Sequence, residues 1–468
     1  PSIGGKDSMS GSFEDLDVPP SLVSFAIATT SAERTVSAAF KKAGSQVIRA
    51  CVPVEDNGVV AWDDLKDLYN GIFSLAKEGK LLSASVVKEG GAAAALAKMA
   101  LGNYIGIKAE DPLSPGELYA PASGDLILEV AAGAAIPFTH VPIGVTVEDA
   151  SITVNGAVIP LHEVEAAYRG TLESVFPTKA KEEKLFMAGG LHHGAPHIGG
   201  KRFAAPRVVI PVFPGTNCEV DTARVFELAG GIPEIVVMNN LSSQGIVESI
   251  ERFKKALDQA QIMMIPGGFS GGDEPDGSGK FIATTLRNPI IRDSVMNLLG
   301  RDGLILGVCN GFQALIKTGL LPYGEIRDTA EDDPTLTFNT IGRHISRMAR
   351  VRITSTKSPW MASYTPGEVQ LVPLSHGEGR FVSTEHDAVN LFLNGQVCTQ
   401  FVDEAGNPTM EIAHNPNGSF CAIEGICSPD GHVMGRMGHS ERLIGGACKN
   451  VPGNKDFQLF QNGVRYFK

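Results

Sequence analysis

From residue 206 onward the chain alternates between two rhythms of hydrophobic and polar positions. Short apolar runs at 207–213, 234–238, 261–265 and 303–308 are separated by longer stretches with a helical period, such as Ile246, Val247, Ile250, Phe253 and Leu257 on one face. Strand and helix in regular succession predict an α/β fold, a doubly wound parallel sheet whose ligands bind outside the carboxyl ends of its strands. The first part of the chain reads differently. Strands are expected over 22–28, 47–52, 125–130 and 143–147. A helix carries Leu65, Leu68, Tyr69, Ile72, Phe73 and Ala76, with Asp63 or Asp64 as its cap, and an alanine-rich helix covers 92–101. These lack a βαβ rhythm and predict an α+β unit. Between 178 and 205 the pattern dissolves into a charged stretch and then glycines and histidines, as expected of a linker.

Composition narrows the function classes. The 468 residues suffice for two or three domains, and 43% hydrophobic with 20% charged residues suits a globular chain. The apolar run at 130–136 is far too short to span a bilayer, so no membrane is expected. A formal net charge of -12 argues against nonspecific nucleic-acid binding. The seven cysteines form no CxxC pair, which points to a reducing, cytoplasmic compartment. His192, His193 and His197 lack matching cysteines or carboxylates, so no metal site is expected there.

The chemistry concentrates on Cys309, in Gly-Val-Cys-Asn-Gly at 307–311, between the apolar run 303–308 and a helical stretch at 312–320. A thiol on a glycine-flanked strand-to-helix turn is a nucleophile elbow, and a helix N-terminus favours an anionic nucleophile. Such a thiol needs a base, and the base needs an orienting group. His439 and Glu441, two residues apart in 435–443, supply both, and an extended or loop-like segment would point their side chains the same way. The glycine loop at 266–273 offers backbone N–H groups around Gly268, and Asn310 another, for a developing oxyanion.

With these residues in place, the motifs resemble a known family. Gly307 to Gly311, Gly267-Gly268 and His439-Ser-Glu441 are similar to class I, triad-type glutamine amidotransferases. Phe213 to Cys218, the loop 267–273 with Phe269, His376-Gly-Glu378-Gly-Arg380, Asn415 to Ser419 and Gly438 to Arg442 look like the glutaminase domain of the formylglycinamidine ribonucleotide synthetases. The segment 5–9 looks like part of their second aminoimidazole-ribonucleotide-synthetase-like repeat. The resemblance implies boundaries at 1–53 and 54–178 for two subdomain portions of that repeat, 179–205 for a linker and 206–468 for the glutaminase domain.

It also implies a reaction: glutamine is hydrolysed at one site, and the ammonia attacks formylglycinamide ribonucleotide activated by ATP and Mg2+ at another. Cys309 is then the nucleophile, His439 the base and Glu441 its orienting carboxylate, with no cofactor or metal needed for this triad. His376 and Glu378 shape the glutamine pocket or a domain interface; the residues leave both open. The opening at Pro1 in a glycine-rich segment gives the expectation of a fragment whose N-terminal portion is a further partner. Residues 83–91 lack the His-Asp and Asp-Gly-Gly pattern of many relatives, which weakens nucleotide catalysis in this half, and Ser440 stands where many relatives have proline. Two other classes remain compatible: a thiol hydrolase or peptidase on the same sheet, and a silent interaction module.

Overall fold

The computed structural model describes residues 2–7, 11–13, 15–109, 112–180, 186–271, 279–455 and 458–468. Gly272 and Asp273 of the glycine loop, Ser8 and Met9 of the N-terminal motif and 181–184 of the expected linker lie outside the described residues. The chain divides into two compact units, 1–174 and 175–468.

The first unit is built on a seven-stranded sheet, in the order Ala157–Pro160, Ser151–Val154, Gly106–Ala109, Val141–Val147, Gln46–Ala50, Leu126–Val130, Leu81–Val86. Successive residues of a strand face opposite sides. Val47 accordingly packs with Leu96 and Met99 of the helix Gly91–Asn103, while Ile48 and Ala50 pack with Leu68, Ile72 and Leu75 of the helix Trp62–Lys77. Because Gln46–Ala50 is an interior strand of this sheet, a boundary at 53/54 would cut through one core. The cap of the first helix also differs from expectation: Ala61 holds the N-cap, and Asp63 and Asp64 lie in the first turn, where carboxylates favour the helix dipole.

The second unit carries a nine-stranded sheet. Its strands are β1 (Arg207–Val212), β2 (Ile232–Val237), β3 (Ile262–Ile265), β4 (Leu304–Val308), β5 (Ile345–Ile353), β6 (Val369–His376), β7 (Val397–Phe401), β8 (Ile423–Cys427) and β9 (Val433–Arg436). The order β2-β1-β3-β4-β9 is parallel, and β8-β7-β5-β6 continues the sheet antiparallel. The expected parallel sheet is therefore one half of a mixed sheet. β3 and β4 are buried along their whole length, which explains their unbroken apolar runs.

The helix Ser243–Gln259 buries only part of the apolar face expected of it. Gly245, Ser249, Phe253, Ala256 and Leu257 are buried, whereas Ile246 and Val247 are about half exposed. Ser249 holds a core position because its hydroxyl donates to Gly245 O at 2.7 Å and accepts from Asn239 N–H at 2.9 Å. The described part of 179–205 belongs to the second unit. Ala188 joins the core, and backbone bonds run from His192 N–H to Thr354 O and from Phe203 N–H to Phe467 O, so this stretch is packed against the unit.

A buried ion pair lies where the parallel and antiparallel parts of the sheet join, between Glu424 on β8 and Arg436 on β9, with Nη2 to Oε2 at 3.3 Å. The Glu424 carboxylate also accepts from Gly438 N–H at 2.7 Å and from Thr399 Oγ1 at 2.5 Å, and Arg436 Nη1 donates to Ser440 Oγ at 3.2 Å. Removing one member of such a pair strands a buried charge, a loss of about 3–5 kcal/mol. Glu424→Ala is therefore expected to lower the urea midpoint of the second unit sharply, and adding Arg436→Met should recover part of the loss. Equal destabilisation by the single and double variants in denaturation curves would contradict this account.

Candidate active site

β4 delivers Cys309 to the carboxyl edge of the parallel strands, where it caps the helix Asn310–Thr318. Its backbone sits at φ 53°, ψ -107°, a left-handed conformation unusual for a side-chain-bearing residue and costing on the order of 1–3 kcal/mol. The surroundings hold it there. Cys309 N–H donates to Arg436 O at 2.8 Å, and a Cβ added at Gly311 would lie 2.0 Å from Ile265 O, so the helix starts hard against β3. The thiol points toward β6, with Sγ 3.7 Å from Ser375 O.

β9 delivers the base to the same edge. His439 is fully buried; its N–H donates to Pro373 O at 2.9 Å, and its Nδ1 lies 2.5 Å from Glu441 Oε1. Of the extended and loop-like alternatives, the segment takes the second. His439 caps a 3-10 turn, Ser440–Gly446, and the turn swings Glu441 back beneath the ring. Burial opposes a charge on His439, yet the Glu441 carboxylate and the Cys309 sulfur hold its pKa well above the ordinary imidazole value. A Cβ placed on Gly267 would lie 2.6 Å from His439 Cε1 and 3.4 Å from Cys309 Cβ, so only glycine lets the imidazole and the thiol residue meet over the loop.

Two loops at this edge interlock. Phe269 N–H donates to Gly215 O at 2.8 Å and Gly271 N–H to Pro214 O at 3.0 Å, while Thr216 and Gly268 form a bridge. Gly268 has φ 148°, and a Cβ there would meet Gly215 O at 2.7 Å. The Phe269 N–H is thus committed within the loop. Asn310 ties the loop to the nucleophile helix: its Oδ1 accepts from Ser270 N–H at 3.2 Å and its Nδ2 donates to Gln313 Oε1 at 2.9 Å. Gln313 Nε2 in turn donates to Glu378 O at 2.5 Å.

The two other residues singled out from sequence separate here. His376 ends β6, buried beside the triad, with Nδ1 3.1 Å from Asn339 Oδ1. Burial, reinforced by the nearby His439 and His344, pushes its pKa down to about 3. Glu378 is linked to the helix through its backbone, and its carboxylate acts on Lys317 near the far end of that helix.

Cys218 was missed as a neighbour of the base. It is buried, with Sγ 4.0 Å from His439 Nδ1 and accepting from Arg442 Nη2 at 3.0 Å. Its place in 213–218, at the end of β1, was the available signal, since that loop shares the strand edge with Cys309. Ser375, which touches Cys309, had no signal because the antiparallel strands were not anticipated, and Arg436 lies in the 435–443 segment but its backbone contact with Cys309 depends on the pairing of β4 with β9.

The depressed pKa of His376 carries a pH prediction. A histidine kept neutral by the fold stabilises it above its unfolded pKa of about 6.5, and that stabilisation fades as pH falls toward the folded value of about 3. Urea midpoints measured from pH 7 to pH 5 should therefore fall more steeply for the wild type than for His376→Gln, by on the order of 1 kcal/mol per pH unit. Parallel curves would sink this assignment.

Residues 205–467 match the family model described as a CobB/CobQ-like glutamine amidotransferase domain. The PurQ subunit of phosphoribosylformylglycinamidine synthase from Methanococcus maripaludis (strain C7) is 33% identical over 281 residues, covering 56% of this chain and 97% of that protein. The PurQ subunit from Treponema denticola is 34% identical over 253 residues, covering 51% of this chain and 88% of that protein. Among solved structures, the one described as PurLQS from Thermotoga maritima matches with 25% identity and a TM-score of 0.41, covering 56% of this chain and 100% of that one. Through residues 205–467 the chain belongs to the CobB/CobQ-like glutamine amidotransferase family.

Proposed function

We propose that the second unit is a glutaminase in which Cys309 is the nucleophile, His439 the general base and Glu441 its orienting carboxylate. The observation that carries this reading is the junction at Gly267, where the imidazole held by Glu441 at 2.5 Å meets the strained Cys309. The Cys309 sulfur attacks the side-chain amide carbon of glutamine, giving a tetrahedral oxyanion. The backbone N–H groups of Gly268 and Asn310 are the donors proposed for it, since Phe269 N–H is already engaged. His439 gives its proton to the leaving nitrogen, so ammonia departs and a glutamyl thioester remains. Water, deprotonated by His439, then releases glutamate and restores the thiol.

The ammonia is proposed to serve the ATP-dependent conversion of formylglycinamide ribonucleotide to formylglycinamidine ribonucleotide in purine biosynthesis. The names of the PurQ relatives support this destination. ATP and Mg2+ belong to that second reaction, carried by a synthetase component that acts with the glutaminase. Residues 83–91 do not fit a nucleotide-bound metal: Glu89 is their one carboxylate, and Ser83 is buried with its hydroxyl donating to Glu129 at 2.7 Å. No step is therefore assigned to ATP on this chain. Among the described residues, no helix is long and apolar enough to cross a membrane.

Two measurements test the reading. A glutamine-analogue electrophile should modify Cys309 first, as found by mass mapping, although Cys51 and Cys448 are the exposed thiols. Labelling led by those two would mean simple accessibility and no glutamine site. In an ammonia-release assay, His439→Ala should lose roughly 100- to 10,000-fold in kcat, the range of a positioned base, and Glu441→Gln should lose less. Wild-type turnover in folded His439→Ala would place the base elsewhere.

A further inference from the structure

At the opposite edge of the sheet, two loops that lead into β4 and β9 bring Asp302 and His432 together, and His197 reaches them from the stretch that packs on this unit. His432 Nε2 lies 3.3 Å and His197 Nε2 3.4 Å from the same oxygen, Asp302 Oδ1. The donor atoms of all three lie within 4.8 Å of one another. In a tetrahedral zinc site with bonds of about 2.0–2.1 Å, neighbouring donors stand about 3.3 Å apart. The two carboxylate–imidazole distances found here match the edges of such a tetrahedron.

The outer groups favour the same reading. His432 Nδ1 is 3.0 Å from Asp430 Oδ2, the carboxylate–histidine pairing that fixes the proton on Nδ1 and turns the Nε2 lone pair toward a metal. Asp302 is fixed by Gly200 N–H at 3.2 Å and by the Tyr466 hydroxyl at 2.6 Å. His197 is about half exposed and borders an open cavity of about 270 Å³, which leaves a path for a metal ion and room for water as a fourth ligand. This cluster differs from the other candidate set, Cys218, His439 and Glu441, which belongs to the glutaminase site.

We propose that His197, His432 and Asp302 form a site for a divalent transition metal of the zinc class, clamping the stretch around His197 to the amino-terminal edge of β4 and β9. Binding displaces any proton on the two Nε2 atoms into solvent and changes no oxidation state. The site stands apart from the triad, because β4 and β9 carry Asp302 and His432 at one end and lead to Cys309 and His439 at the other.

The test uses the full chain with zinc alone, then cobalt. The wild type should retain one zinc per chain at this site in competition with a chromogenic chelator, and zinc should raise its melting temperature. His197→Ala should weaken that binding at least about 100-fold and Asp430→Asn about 10- to 100-fold, whereas His193→Ala should leave it unchanged. Cobalt should give the visible bands of a tetrahedral nitrogen–oxygen site without thiolate charge transfer. Because His197 lies outside the glutaminase site, kcat for ammonia release in His197→Ala should stay within about twofold of wild type, which verifies its fold. Zinc binding unaltered in His197→Ala, no retained zinc, or a cobalt spectrum dominated by thiolate charge transfer would each overturn the proposal, leaving a histidine–aspartate ion-pair cluster in its place.

Discussion

The arrangement around Cys309 depends on the buried pair of Glu424 and Arg436. Taking two charges out of water is unfavourable, and here it is offset by directed bonds: Glu424 holds Arg436, Thr399 and the Gly438 N–H, while Arg436 also holds Ser440. These bonds fix the path of the chain just after β9. The carbonyl of Arg436 then accepts the Cys309 N–H, and three residues later His439 N–H is bonded to Pro373. One ion pair therefore sets the position of both Cys309 and His439, although neither of its members touches the thiol with its side chain.

That anchoring explains how a strained residue survives at the centre of the site. A left-handed Cys309 persists only if its neighbours leave it no alternative. Arg436 holds its amide from one side, and the contact of Gly311 with Ile265 fixes the start of the helix from the other. The glycine loop is tied into the same frame, since Asn310 reaches Ser270 and the loop interlocks with 213–217. Glycine at 267 then has a steric reason, because any side chain there would occupy the space where His439 and Cys309 converge.

The parallel half of the sheet was legible because β3 and β4 are buried on both faces and read as unbroken apolar runs, and because each is followed by a glycine turn. The antiparallel half was hidden. Strands such as β5 alternate buried and more exposed residues with three arginines among them, which reads as a polar stretch. The helix Ser243–Gln259 was only partly legible: Phe253 and Leu257 are buried as hydrophobicity suggests, but Gly245 and Ser249 fill the rest of the inner face and leave Ile246 and Val247 on the outside. In the site, a motif centred on one residue was readable, but Cys218 beside His439 and Asp302 beside His432 meet only through sheet topology.

The same topology divides the labour between two buried histidines. His376 and His439 end up close enough that a charge on His439 disfavours one on His376, and both lose hydration. Only His439 has a carboxylate and a thiol to compensate it. The proton therefore resides on His439, while His376, facing Asn339 and no carboxylate, stays neutral. Pairs of titratable groups pushed apart in this way mark acid–base sites, because each group is held in one role across the working pH range. A neutral His376 leaves the cationic His439 without a competing charge, so the imidazole that meets Cys309 is the one with a proton to give to a leaving amine.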